Sequence, residues 1–166
     1  IVVALDTALT VVGVWVEDSG GRRSHRASWH RDHGLIVIAH RGGAGDSAVT
    51  RIRYDGTPAD GLIIRRSADG TFTAFADNWP DRAHRWFPSQ DVPADKATAS
   101  FRIDAPKGYR VVANGRLVRV DTLRDGGTVW HYRQDAPVSP YNLVFGLARF
   151  AVTDLDSAGC QVKCVP

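Results

Sequence analysis

Six histidines, two cysteines and one glutamate bound the chemistry open to this chain. The glutamate, Glu17, follows no histidine, so the sequence cannot supply a His-Glu-x-x-His helix, in which two imidazoles one turn apart bind zinc and the carboxylate acts as base. His25, His30 and His33 crowd together, but zinc needs three or four converging ligands, and a strand would point His30 and His33 to opposite faces. Arg22, Arg23, Arg26 and Arg31 add repulsion, and the stretch reads as a solvent-exposed connection. Cys160 and Cys164 would stand ~13 Å apart in an extended strand, beyond the roughly 7 Å reach of a disulfide, so bridging them requires a turn. No Gly-x-Ser-x-Gly elbow orients a nucleophilic triad, and Arg41-Gly-Gly-Ala-Gly-Asp46 reads as a flexible turn rather than a phosphate cradle.

The segment from Asn78 to Ala94 stands apart, carrying Trp79, Trp86 and Phe87 among Pro80, Pro88 and Pro93 with neither a strand nor a helix period. Long irregular connections carry function or an interface more often than short turns do, although aromatics there can also simply plug the end of a sandwich.

The elements that must hold this segment are short β-like runs. They lie at Ile1 to Leu5, Val11 to Val16, Leu35 to His40, Val49 to Tyr54, Leu62 to Arg66, Thr71 to Phe75, Ala97 to Ile103, Tyr109 to Ala113, Arg116 to Val120, Thr128 to Arg133 and Leu143 to Val152. Turn signals divide them, among them Asp55-Gly56, Asp69-Gly70, Asn114-Gly115 and Asp125-Gly-Gly. Asn-Gly accepts positive φ at both central residues, so Val111 to Val118 is expected to fold as a hairpin about Asn114-Gly115. The pattern predicts an all-β, antiparallel sandwich or related sheet domain.

At 166 residues and 18.1 kDa, with 43% hydrophobic residues, residues 1–166 are expected to form a single β domain with its own core. The net charge of +3 comes from arginines dispersed among aspartates, a solvated surface rather than a basic stripe, so no nucleic-acid partner is expected. No apolar run approaches the ~20 residues that span a bilayer, and no membrane partner is expected. A start at Ile1 rather than Met, without the flanks of a signal peptide, suggests a chain that begins inside a longer product.

Four pieces in order then acquire meaning together: Tyr54-Asp-Gly56-Thr-Pro58, Trp86-Phe87-Pro88-Ser-Gln-Asp91-Val-Pro93-Ala-Asp-Lys96-Ala97, Val112-Ala-Asn114-Gly115, and the aromatic loop from Asp77 between the first two. The series resembles the N-terminal β domain of M1-family zinc aminopeptidases, from about Leu5 to the C-terminus. The resemblance implies an antiparallel β-sandwich or saddle-like sheet, incomplete at its N-terminus, with the catalytic domain of the same polypeptide absent. It implies a non-catalytic role: a wall of the substrate cleft that helps anchor the peptide N-terminus. Zinc is expected in the full-length enzyme, and no cofactor or catalytic residue in this chain. Counting back from Pro88, Asp77 stands where the family usually has Gln and Trp79 where it has Glu. Asp77, Asn78 and Trp79 are therefore the expected substrate-binding residues, the carboxylate neutralising an ammonium and the indole facing substrate or a cation. The alternative is a free-standing β-sandwich that binds peptide or carbohydrate through Trp79, Trp86 and Phe87. A downstream His-Glu-x-x-His in the gene separates the two.

Overall fold

The computed structural model describes residues 1–17, 24–43 and 45–152. Cys160 and Cys164 lie outside the described residues. Every strand pairing among the described residues is antiparallel, and strands dominate over helix, so the fold is all-β. The strands are β1 (Val2–Ala4), β2 (Thr10–Glu17), β3 (Ser24–Arg26), β4 (Trp29–Asp32), β5 (Leu35–Ile38), β6 (Val49–Asp55), β7 (Leu62–Arg66), β8 (Phe72–Ala76), β9 (Ala97–Ala105), β10 (Arg110–Ala113), β11 (Arg116–Thr122), β12 (Thr128–Val138) and β13 (Phe145–Ala148). Two single turns of 3-10 helix, Ala83–Arg85 and Pro140–Asn142, complete the described elements. The residues fall into two compact units.

The first unit comprises Ile1–Leu62, Asp77–Lys96 and Ser139–Asn142. Its strands form two three-stranded sheets, β1-β5-β4 and β3-β2-β6. Alternation sends Val14 and Val16 of β2 and Ile36 and Ile38 of β5 inward, where they meet Leu5, Leu9 and Ala27 in one core. Each of the larger side chains stabilises the unit by roughly 1.5–3 kcal/mol through lost water contact. The histidine-bearing stretch is no mere connection: Ser24–Arg26 and Trp29–Asp32 are strands, and Trp29 packs against the core. Its polar residues hid the pattern, because these strands present little apolar surface to read. His33 and Gly34 join β4 to β5 in a two-residue turn, with Asp32 opposite Leu35 and φ of 44° and 87° at the central pair, the signs a type I′ turn requires.

The second unit comprises Ile63–Ala76, Ala97–Val138 and the described residues from Leu143 onward. It contains the sheets β10-β13-β8-β7 and β11-β12-β9. The expected hairpin at Asn114-Gly115 is not formed. β10 pairs with β13 and β11 pairs with β12, so the dipeptide hands the chain from one sheet to another. The Asn114 side-chain oxygen accepts the Val144 amide at 2.6 Å, and the Asn114 backbone N–H donates to the Val144 carbonyl, which fastens the crossing to the neighbouring segment. Gly115 has φ of 80°, and any Cβ there would collide with the Arg133 carbonyl. Glycine was selected by a non-local neighbour as well as by turn chemistry.

Candidate functional site

The irregular segment Asp77–Lys96 belongs to the first unit and is sewn to its strands at several points. Ala4 and Ser89 form an isolated antiparallel bridge, with amide-to-carbonyl distances of 2.9 and 3.1 Å. The Tyr54 hydroxyl donates to the Trp86 carbonyl at 2.8 Å, and burial pushes the Tyr54 phenol above its ordinary pKa. Asp6 is buried, its amide donating to the His84 carbonyl and its carboxylate accepting from the Ala8 amide at 2.8 Å and from Arg85 at 2.6 Å. Those two donors, the Ala8 amide first, hold the Asp6 carboxyl below the usual carboxylate range. Asp91, at φ of 42°, accepts from both the amide and the ring of His84.

Within this frame Asp77, Asn78 and Trp79 lie side by side in the chain but in different environments. Asn78 is 1% exposed, its amide donating to the Pro140 carbonyl at 3.2 Å and accepting the Trp86 indole N–H at 2.7 Å. The Asn78 side chain is thus committed to the fold and joins the segment to the Pro140–Asn142 turn. Asp77 keeps 46% of its side chain exposed, and its amide donates to the Gly61 carbonyl at 2.8 Å. Trp79 is 65% exposed, its ring set edge-to-face against Tyr141 with centroids 5.3 Å apart. Trp86 and Phe87, also edge-to-face at 4.6 Å, are half-buried.

Arg82 ties the exposed residues together. Its guanidinium contacts Asp77 at 2.8 Å and Asp60 at 3.3 Å and donates to the Trp79 carbonyl at 2.7 Å. Arg85 feels Asp60 and Asp81 as well as its partner Asp6. Asp77 and Asp60 thus pair with Arg82, and Asp6 pairs with Arg85, so these carboxylates and guanidiniums form one charge-paired cluster. Gly61 makes the close approach possible: at φ of 73°, a Cβ would overlap the Arg82 carbonyl oxygen and lie 2.9 Å from Arg85 Cβ.

Arg82, Asp60 and Tyr141 escaped sequence reasoning. Arg82 reads as one more dispersed arginine, and its pair with Asp60 joins two segments that no local pattern connects. The only sequence signal for Tyr141 was its place directly after a proline at the end of a strand. No group of three or more His, Cys, Asp or Glu side chains placed to hold a metal ion occurs among the described residues.

The profile of the Peptidase M1 N-terminal domain matches residues 27–142, more than half of the chain. The chain belongs to that family. Over 87 residues, 52% of its length, this M1 N-terminal domain is 30% identical to glutamyl aminopeptidase of Sus scrofa, of which it spans 9%. It superposes on the M1 zinc metallopeptidase of Deinococcus radiodurans with a TM-score of 0.74 at 24% identity, covering 98% of this chain and 37% of that one. A form of that enzyme bound to a Tyr-ser-ala substrate gives a TM-score of 0.74 at 22% identity over 89% of this chain and 34% of that one. Native yeast LTA4 hydrolase gives 0.72 at 18% identity over 93% and 24%. These likenesses show the fold of the M1 N-terminal domain, and the chain spans only a fraction of each relative's length.

Proposed function

We propose that this chain is the non-catalytic N-terminal β domain of an M1-type zinc aminopeptidase, and that it forms part of the substrate cleft and anchors the peptide N-terminus through Asp77. Both compact units belong to that one domain in this reading, since the family match over residues 27–142 takes residues from each. Zinc belongs to the catalytic part of the full enzyme, where it would activate the hydrolytic water. This chain offers no His-Glu-x-x-His to hold it.

The observation that carries the reading is the division of labour along three consecutive residues. Asn78 is locked in the interior, while on either side Asp77 is half-exposed and Trp79 exposed, both braced by Arg82. The buried Asn78 thus positions a half-exposed carboxylate whose Oδ2 contacts Arg82, and a charge-assisted hydrogen bond from an incoming α-ammonium to such a preorganised group costs little ordering entropy. Asn78 serves as the positioning residue for both neighbours. The peptide bound by the Deinococcus radiodurans relative is in keeping with a peptide ligand here. The half-burial of Trp86 and Phe87 weakens the rival picture of three exposed aromatics forming a sticky surface.

The test is competition at the active site of the full enzyme by an amino-acid amide and its des-amino analogue. The amine should improve inhibition in the native enzyme, and Asp77→Asn should erase most of that advantage. An advantage that survives Asp77→Asn intact contradicts the assignment.

A further inference from the structure

We propose that the Trp79–Tyr141 pair is a specificity-determining surface that favours an aromatic side chain on the first residue of the substrate. The inference rests on the amine-anchoring reading of Asp77 and names the substrate class that the same site would prefer.

A tryptophan that is 65% exposed is unusual, because the indole is the largest apolar side chain and is highly buried on average. Here the exposed ring also has a defined neighbour and an anchored backbone. Its backbone carbonyl accepts from Arg82 at 2.7 Å, and its edge-to-face partner Tyr141 stands at 5.3 Å with an interplanar angle of 83°. Both rings share one buried anchor. Asn78 immediately precedes Trp79, Pro140 immediately precedes Tyr141, and the Asn78 amide donates to the Pro140 carbonyl at 3.2 Å. The two rings therefore form an aromatic corner whose backbone attachment points are tied together, which lowers the ordering cost of binding.

The carboxylate of Asp77 lies two residues from this corner and is bridged to it by the Arg82 guanidinium, which contacts Asp77 and the Trp79 carbonyl at once. An α-amino group and a first side chain leave the same Cα atom. A ligand whose ammonium meets Asp77 thus carries its first side chain toward the nearby rings. A flat ring gains offset or edge-to-face contact there, whereas a methyl group gains little.

The test measures kcat/KM of the full enzyme with phenylalanyl, arginyl and alanyl reporters. Trp79→Leu keeps apolar bulk but removes the ring, and should lower the phenylalanyl-to-alanyl ratio by roughly three- to tenfold, the range that one aromatic pair commands. Trp79→Phe should restore most of the ratio, and Tyr141→Leu should lower it in the same direction. A uniform fall for all three reporters, or an unchanged ratio, overturns the proposal by making the ring a packing surface. A loss confined to the arginyl reporter overturns it in favour of cation recognition. Asp77→Asn, run in parallel, should weaken all three reporters by a common factor. If it has no effect while Trp79→Leu shifts the ratio, the amine anchor fails and the aromatic surface stands.

Discussion

Gly61→Ala probes the joint on which the candidate site is built. Gly61 sits at φ of 73°, where an alanine costs roughly 1–2 kcal/mol because its Cβ crowds the following carbonyl. The added Cβ would also overlap the Arg82 carbonyl oxygen, lie 2.9 Å from Arg85 Cβ and lie 3.2 Å from Trp86 Cδ1. Backbone cannot swing aside as a side chain can, so displacing the Arg82–Trp86 turn should add an overpacking cost of about 1–3 kcal/mol. The sum is a loss of roughly 2–5 kcal/mol. Gly34→Ala supplies the control within the same unit: φ is 87°, but the nearest atom to a new Cβ is the Leu5 carbonyl oxygen at a comfortable 3.8 Å. That variant should lose only the conformational part, about 1–2 kcal/mol. Urea denaturation of both variants, followed by tryptophan fluorescence, reads the difference from the shift in midpoint at constant slope. Equal losses for Gly61→Ala and Gly34→Ala would refute the claim that the segment is pressed against Gly61.

Asn78→Ala removes the acceptor of the Trp86 indole N–H and the donor to the Pro140 carbonyl, and should lower stability by about 1–3 kcal/mol in the same denaturation assay. A loss below ~0.5 kcal/mol would show that the buried amide does not clamp the segment. The Asp6 carboxyl has a folded pKa below its unfolded value, so its contribution is fully present above the unfolded pKa near 3.8 and disappears as pH falls through the folded value. A thermal-melt series should therefore show native protein losing more stability than Asp6→Asn below about pH 4, and parallel curves would contradict this. At the alkaline end the sign reverses. Burial raises the Tyr54 pKa, so stability should decline above about pH 10 and Tyr54→Phe should flatten that decline.

Much of the strand content was legible because β-branched runs such as Leu62–Arg66 and Val49–Asp55 lie between glycine-bearing turns. The polar strands Ser24–Arg26 and Trp29–Asp32 were not, since their place comes from pairing with β2 and β5 rather than from their own apolar pattern. Asn114-Gly115 carries the dihedral freedom of a hairpin turn, but dihedral freedom does not choose a strand's partner. That choice was made by β12 and β13, far along the chain. The candidate site divided in the same way. Asp77 and Trp79 emerge from the motif order, and the structure leaves the first half-exposed and the second exposed. Asn78 belonged to the same triplet, yet its burial depends on Pro140 and Trp86, contacts with no signature in the local sequence.

The central claim is that Asp77 holds the substrate's free amine, and steady-state kinetics of the full enzyme carrying Asp77→Asn test it most directly. Loss of one charge-assisted contact is worth about 1.5–3 kcal/mol when shielded, and the half-exposed setting of Asp77 places the expectation at the lower limit. KM for an alanyl reporter should rise about tenfold, with kcat and zinc content nearly unchanged, as expected when binding common to ground and transition states is removed. An unaltered KM at full zinc occupancy would contradict the account.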